Sequence, residues 1–310
     1  MEILQVLLSS NAQWVLFSTL LLGIASGVLG SFALLKKQSL LSDAVAHAAL
    51  PGICLAFLIV GEKQMLWLIV GALCTGLLAT YLIQFITSTT KLKKDTAICL
   101  VLSSFFGLGI VLLTMVTRQP SGNKSGLDQF IFGKAAAMTL SDVMTMGIMA
   151  LTLIVVTTLL FKEWKITTFD PGFSKGIGLP VKSLEFIFSS FLVLTVVVGI
   201  QAVGVILMAA MLMIPSMTAR YWTDSLGKMV VISGGVGAVS ATSGTVLSTL
   251  GPSMPTGPLI VLTATSLFIV SFFFAPKKGI VMKKIALRQK QRVYQSSVVN
   301  KRKEAIHHDV

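Results

Sequence analysis

Charge is scarce in this sequence. Only 12% of its 310 residues are Asp, Glu, Lys or Arg, against about 25% in soluble domains. Acids are the scarcer sign, 12 against 25 basic residues. That balance excludes an ordinary soluble enzyme with a charged surface. Hydrophobic residues make up 54% of the chain and the mean hydropathy is +0.87. They fall in apolar segments of about 20 residues that recur along the whole length, which is the signature of a polytopic membrane protein. The chain reads as all-α: one transmembrane domain over 1–276, undivided by any long polar linker, and a basic tail over 277–310.

Other absences narrow the function. No Gly-x-x-x-x-Gly-Lys-[Ser/Thr] occurs, so the chain is not expected to bind ATP by a P-loop. Acids within the apolar segments are few, and Asp95 and Asp142 fall at segment ends. A proton-coupled transporter needs a buried carboxylate relay, so active transport here would take its energy from another subunit. Cysteine is rare: Cys54, Cys74 and Cys99 lie in apolar segments without metal-site spacing and read as small buried hydrophobes. No basic residue precedes the first apolar stretch, where Glu2 is the only early charge, so that stretch is expected to remain a membrane helix.

The net charge of +13 does not signal nucleic acid. Ten of the 25 basic residues follow position 276, and most of the rest sit in short loops. Such an excess orients a chain in the bilayer and attracts anionic lipid. Nine membrane helices are expected: Trp14–Leu35, Leu40–Val60, Met65–Ile86, Thr96–Val116, Leu140–Phe161, Leu184–Ile200, Val203–Tyr221, Met229–Leu250 and Gly257–Ala275. With these spans, 21 Lys and Arg fall on one side and only Lys63, Arg118, Lys124 and Lys134 on the other. The bias predicts an outer N-terminus and a cytoplasmic C-terminus. Two loops exceed a turn. The outer one, Thr117–Thr139, has an apolar middle suited to dipping into the surface. In the inner one, Lys162–Lys182, Asp170 and Pro171 form a helix start and Gly176, Gly178 and Pro180 a stop. A helix of about two turns is expected between them. The small residues of the third and eighth segments, including Gly71, Gly76, Gly234 and Gly237, would let helix backbones approach closely.

Histidine is the rarest informative residue. Two of the three lie in the tail; the third, His47, follows Asp43 by four positions within an apolar stretch. Residues at that spacing share a helix face. A carboxylate and an imidazole there are costly without partners or a task. One reading is a hydrogen-bonded pair that fixes packing. The other is a station for a divalent cation, since carboxylate oxygen and imidazole nitrogen suit Mn²⁺, Fe²⁺ or Zn²⁺. Small residues around the pair leave room for a neighbour, and Pro51 and Gly52 disturb the helix just beyond it. Two ligands do not close a site, so a second chain, water or carbonyls must add the rest. Pro215 lies well inside the seventh segment and predicts a kink there. Met208, Met211, Met213 and Met217 around it read as core filling, since methionine favours softer ions.

Several motifs, in this order and spacing, carry a resemblance. They are Ser42-Asp43-Ala-Val-Ala-His47-Ala-Ala-Leu-Pro51-Gly52, Asp95-Thr-Ala-Ile, Leu127-Asp-Gln-Phe-Ile-Phe-Gly133, Thr168-Phe-Asp-Pro-Gly-Phe-Ser-Lys-Gly176, Val205–Arg220 with Pro215, and Pro255-Thr-Gly-Pro258. From about residue 14 to 275 the chain resembles the integral-membrane permeases of bacterial ABC importers for manganese, zinc and iron. The resemblance implies a permease in the cytoplasmic membrane that pairs with a second permease subunit, as a homo- or heterodimer. It implies cytoplasmic ATP-binding subunits and an extracytoplasmic metal-binding protein as further partners. It also implies metal passage at Asp43 and His47, and a coupling helix at Asp170, Pro171, Phe173, Ser174 and Gly176. Pro51, Gly52 and Pro215 would shape or gate the path. The run after His47 and the Phe-Ile-Phe-Gly-Lys-Ala-Ala-Ala segment look more like manganese members than zinc members. The metal is cargo; no resident cofactor is expected. The competing class is a stand-alone secondary transporter or channel for divalent cations.

Overall fold

The computed structural model describes residues 10–61, 65–118, 140–250, 254–276, 278–284 and 291. It is all-α, with no strand among the described residues. Eleven helices follow in chain order: α1 Ser10–Leu35, α2 Ser39–Val60, α3 Met65–Thr89, α4 Lys94–Arg118, α5 Leu140–Leu159, α6 Phe161–Phe169, α7 Pro171–Gly176, α8 Val181–Val203, α9 Val205–Trp222, α10 Leu226–Ser248 and α11 Thr256–Phe274. Seven of these are long and apolar enough to cross a membrane, and α5 with α6 makes an eighth if that pair, bent by 66°, is one span. The seventh expected segment, Val203–Tyr221, corresponds to α9, which is not among those spans and follows α8 after Gly204 alone. Gly204 has φ +89° and ψ 165°, a backbone conformation that essentially only glycine adopts. Of the expected outer loop Thr117–Thr139, Thr117 and Arg118 end α4 and the rest lies outside the described residues, as does most of the tail.

Helices α1 and α2 form the centre and α4 and α11 the margin: 67% of the α1 span is buried, against 17% of α4. The α1–α10 contact rests on glycine. A Cβ on Gly23 would strike the Gly237 carbonyl, and one on Gly237 would strike the Gly23 carbonyl. Ser233 Oγ then donates to Gly27 O at 2.7 Å across the same seam. In a bilayer, where burial adds no drive between helices, close packing and such hydrogen bonds hold the pair. Gly237→Leu is expected to lower the melting temperature in detergent by several degrees and to produce aggregate on size exclusion, since forced overpacking costs about 1–3 kcal/mol. A Gly237→Leu protein as stable as the parent would show that the two helices can separate freely.

One end of the bundle gathers basic residues, among them Lys36, Lys94, Lys162 and Lys228. There Trp164 of α6 is fully buried between Phe32 of α1 and Phe188 of α8, edge-on to both at 5.6 and 5.4 Å. Lys36 Nζ lies 4.7 Å from the Phe188 ring centre. Burial pushes the Lys36 pKa below the ordinary lysine value, with Glu185 opposing the shift and Lys94 adding to it. This aromatic cluster fixes α6, and α6 carries α7.

Candidate functional site

Asp43 and His47 both lie on α2 and meet as their spacing predicts. His47 Nε2 is 3.6 Å from Asp43 Oδ1. That is too long for a good hydrogen bond. It is a natural bite for one ion, because two metal–ligand bonds of about 2.1 Å span up to about 4 Å. The pair is not sealed in the core. The side chains are 45% exposed for Asp43 and 29% for His47, whereas Ala44, Val45, Ala46, Ala48 and Ala49 are buried. The helix therefore turns its small residues inward and presents its two polar groups along an open face. Phe106 of α4 forms one wall, edge-on to the imidazole at 4.9 Å.

Pro51 refines the expectation of a disturbed helix. α2 runs unbroken through it to Val60. Its missing N–H falls four residues after His47, so it is the His47 carbonyl that loses its α-helical donor. The site thus gains a backbone oxygen at the same residue as the imidazole. Gly52 serves packing: a Cβ there would strike the Gly71 carbonyl and the Thr75 hydroxyl of α3. Pro215 likewise lies inside an unbroken α9. Met208 and Met211 are buried, in keeping with core filling, whereas Met213 is half-buried and Met217 is exposed, so core filling holds for only part of the methionine set. Among the described residues no three His, Cys, Asp or Glu side chains come together. An ion held at this pair would draw its further ligands from backbone, water or another chain.

The second candidate element is α7. Asp170 is its N-cap: Phe173 N–H donates to Asp170 Oδ1 at 2.8 Å, with Pro171 opening the first turn. Ser174 is fully buried and its hydroxyl donates to Asp170 O at 2.8 Å. Phe173 points outward, 59% exposed. The helix is six residues long, shorter than the stretch to Gly178. Of the two expected stop glycines, only Gly178 is left-handed, with φ +83°. Gly176 is the last helical residue, and a Cβ there would meet nothing within 4 Å.

Helix α6 is absent from the sequence reading, which has Lys162–Asp170 as loop. Its signal is weak: charged Lys162, Glu163 and Lys165 mask the single buried stripe of Trp164 and Thr167. The start of the tail is also pinned, by Lys278 Nζ at 2.8 Å from Asp224 Oδ1 beyond α9.

Residues 9–275 match the model of the ABC 3 transport family. The chain is 51% identical over 282 residues to the Bacillus subtilis protein named manganese transport system membrane protein MntC, covering 91% of this chain and 65% of that one. It thus spans just under two thirds of that relative's length. It is 43% identical over 269 residues to the Treponema pallidum zinc transport system membrane protein TroC, covering 87% of this chain and 90% of that one. Among solved structures, PsaBC from Streptococcus pneumoniae in complex with Fab superposes with a TM-score of 0.80 at 33% identity, over 93% of this chain and 99% of that chain. A family model that takes in both the Asp43–His47 helix and the α7 turn, with relatives this similar, leaves one assignment: the chain is a multi-pass plasma-membrane protein belonging to the ABC 3 transport family.

Proposed function

We propose that the chain is the permease subunit of an ATP-driven importer of divalent metal ions, with manganese as cargo. The observation that carries this reading is the Asp43–His47 pair, set within a membrane helix yet open along one face. A hard carboxylate, an imidazole and a carbonyl suit Mn²⁺, and they also admit Fe²⁺ or Zn²⁺. The manganese name of the 51% identical relative supports Mn²⁺ first, and the zinc name of another relative keeps Zn²⁺ as the second reading. The open face needs more ligands than one chain brings, which supports a second permease subunit across it. A capped helix with an exposed Phe173 supports docking of an ATP-binding subunit at α7. An extracytoplasmic metal-binding protein would deliver the cargo. A stand-alone secondary transporter or channel has no use for such a helix, and the family assignment also favours the importer.

The deciding experiment is rescue of a transporter-deficient bacterium by this chain with its ATPase and binding protein, comparing Mn²⁺, Zn²⁺ and Fe²⁺. Manganese accumulation and growth rescue are expected. Rescue by the permease alone would favour a secondary transporter, and no accumulation of any metal would reject the reading. The purified permease alone is expected to show no ATP hydrolysis.

Topology is tested at α7. Ser174 is a poor labelling position because it is buried, whereas Lys175 is exposed. A Lys175→Cys protein lacking the native cysteines is expected to react only with reagents that cross the membrane. Labelling by an impermeant reagent in intact cells would invert the orientation.

A further inference from the structure

On an exposed apolar side of the bundle an open groove of about 370 Å³ runs between α5 and α10 with α1 as its floor. Its walls include Ile154 and Phe161 on one side and Val231 and Gly235 on the other, and they are almost wholly apolar. Leu151 and Leu159 beside it are 64% and 73% exposed, as befits a lipid-facing helix. An apolar groove alone would say little. Of the two threonines in its lining, Thr157 and Thr158, Thr157 is the exception. This residue lines the groove, is 3% exposed, and its hydroxyl has no hydrogen-bond partner. Its neighbours on α5 satisfy theirs: Thr152 donates to Ile148 O and Thr158 to Val155 O. An unpartnered hydroxyl in an apolar setting is costly. The hydroxyl is itself inaccessible as it stands, and a turn about χ1 to the other helical rotamer is what would present it to an occupant of the groove.

The groove ends in charge. Phe161 closes it where α5 gives way to α6, and a Cβ on Gly227 would lie 3.9 Å from the Phe161 ring. Lys162 therefore follows one wall at this mouth and Lys228 the other, both exposed. From mouth to interior the chain brings two lysines, then the unpartnered Thr157 hydroxyl five residues (about 7.5 Å) before Lys162, then hydrocarbon. That is the order of polarity along a phospholipid: phosphate, glycerol ester, acyl chain.

We propose that the α1–α5–α10 groove is a binding site for an anionic diacyl phospholipid. An acyl chain fills the groove, Thr157 donates to an ester carbonyl, and Lys162 and Lys228 hold the phosphate. The site is independent of the cargo and of the Asp43–His47 pair, which faces α4.

The test is native mass spectrometry of the full assembly in mild detergent, titrated with phosphatidylglycerol, its ether-linked analogue and phosphatidylcholine. The parent is expected to retain phosphatidylglycerol over phosphatidylcholine, and the ester over the ether lipid by about fivefold, the worth of one ordinary hydrogen bond. In Thr157→Val the ester preference vanishes while the preference for the anionic headgroup stays. Lys162→Gln with Lys228→Gln does the reverse, reducing phosphatidylglycerol retention by about fivefold per lysine. Gly235→Phe is expected to abolish retention by filling the groove; a Cβ at Gly235 meets nothing within 4 Å, so the chain has room for it. Equal retention of all three lipids by the parent would overturn the proposal, as would an ester preference that survives Thr157→Val. So would loss of the permease dimer in Gly235→Phe, which would make the occupant a second copy of the chain.

Discussion

Asp43→Ala and His47→Ala are each expected to cut manganese accumulation by about 100-fold or more, while the protein still inserts and still co-purifies with its ATP-binding subunit. Losing even an outer partner of a metal ligand costs 10–100-fold, and these two side chains are proposed as the ligands themselves. Structural collapse is not expected. Both side chains are partly exposed, neither belongs to the buried core of α2, and alanine is the best helix former. Two groups acting on one ion work as a unit, so the double mutant is expected to lose little more than either single mutant. Asp43→Asn keeps an oxygen but not its charge, and is expected to retain a small residual flux. Accumulation near the parental level in either alanine mutant, at matched expression, would make the pair a packing feature and move the cation path elsewhere.

The parts of this architecture that hydropathy controls are legible in the sequence. The expected spans Leu40–Val60 and Met65–Ile86 lie within α2 and α3, and both spans begin within a residue of where those helices begin. α3 runs on to Thr89 through a polar stretch in which Thr87 and Thr89 satisfy their hydroxyls on the Ile83 and Phe85 carbonyls. The shared face of Asp43 and His47 follows from spacing alone, and the cap at Asp170 from local chemistry. Features that depend on a distant partner are not legible. Gly23 and Gly27 look like any glycines in an apolar helix until Gly237 and Ser233 are laid against them. Trp164 sits among charges and reads as loop, yet Phe32 and Phe188 enclose it. Nothing local distinguishes Gly176 from Gly178 as the turn residue. The hydroxyl of Ser174 looks exposed in a polar loop but is buried beneath α7.

Gly176→Trp is expected to leave the permease itself folded and to reduce its capture of the ATP-binding subunit by on the order of tenfold or more, with metal uptake falling in step. The first half follows from geometry. Gly176 is exposed, helical and free of neighbours within 4 Å, so an indole there meets solvent rather than the chain. The turn is set by Gly178 and the start by the Asp170 cap, and neither is touched. The second half follows from α7 as a docking element. Phe173 is a large apolar side chain, 59% exposed on a helix that buries Ser174. Rigid aromatic anchors of this kind dominate interface energetics, and a bulky side chain three residues away would hold the partner off. Phe173→Ala should give the same loss by removing the anchor, whereas Lys175→Ala, on the same helix, should change capture little. Ser174→Leu is the structural counterpart: it forces a larger side chain into a filled site and should lower the melting temperature of the permease alone. Normal ATPase capture and normal uptake by both Gly176→Trp and Phe173→Ala would show that α7 is not the coupling element. The transmission surface would then lie at another loop of the same basic end, such as Lys91–Asp95.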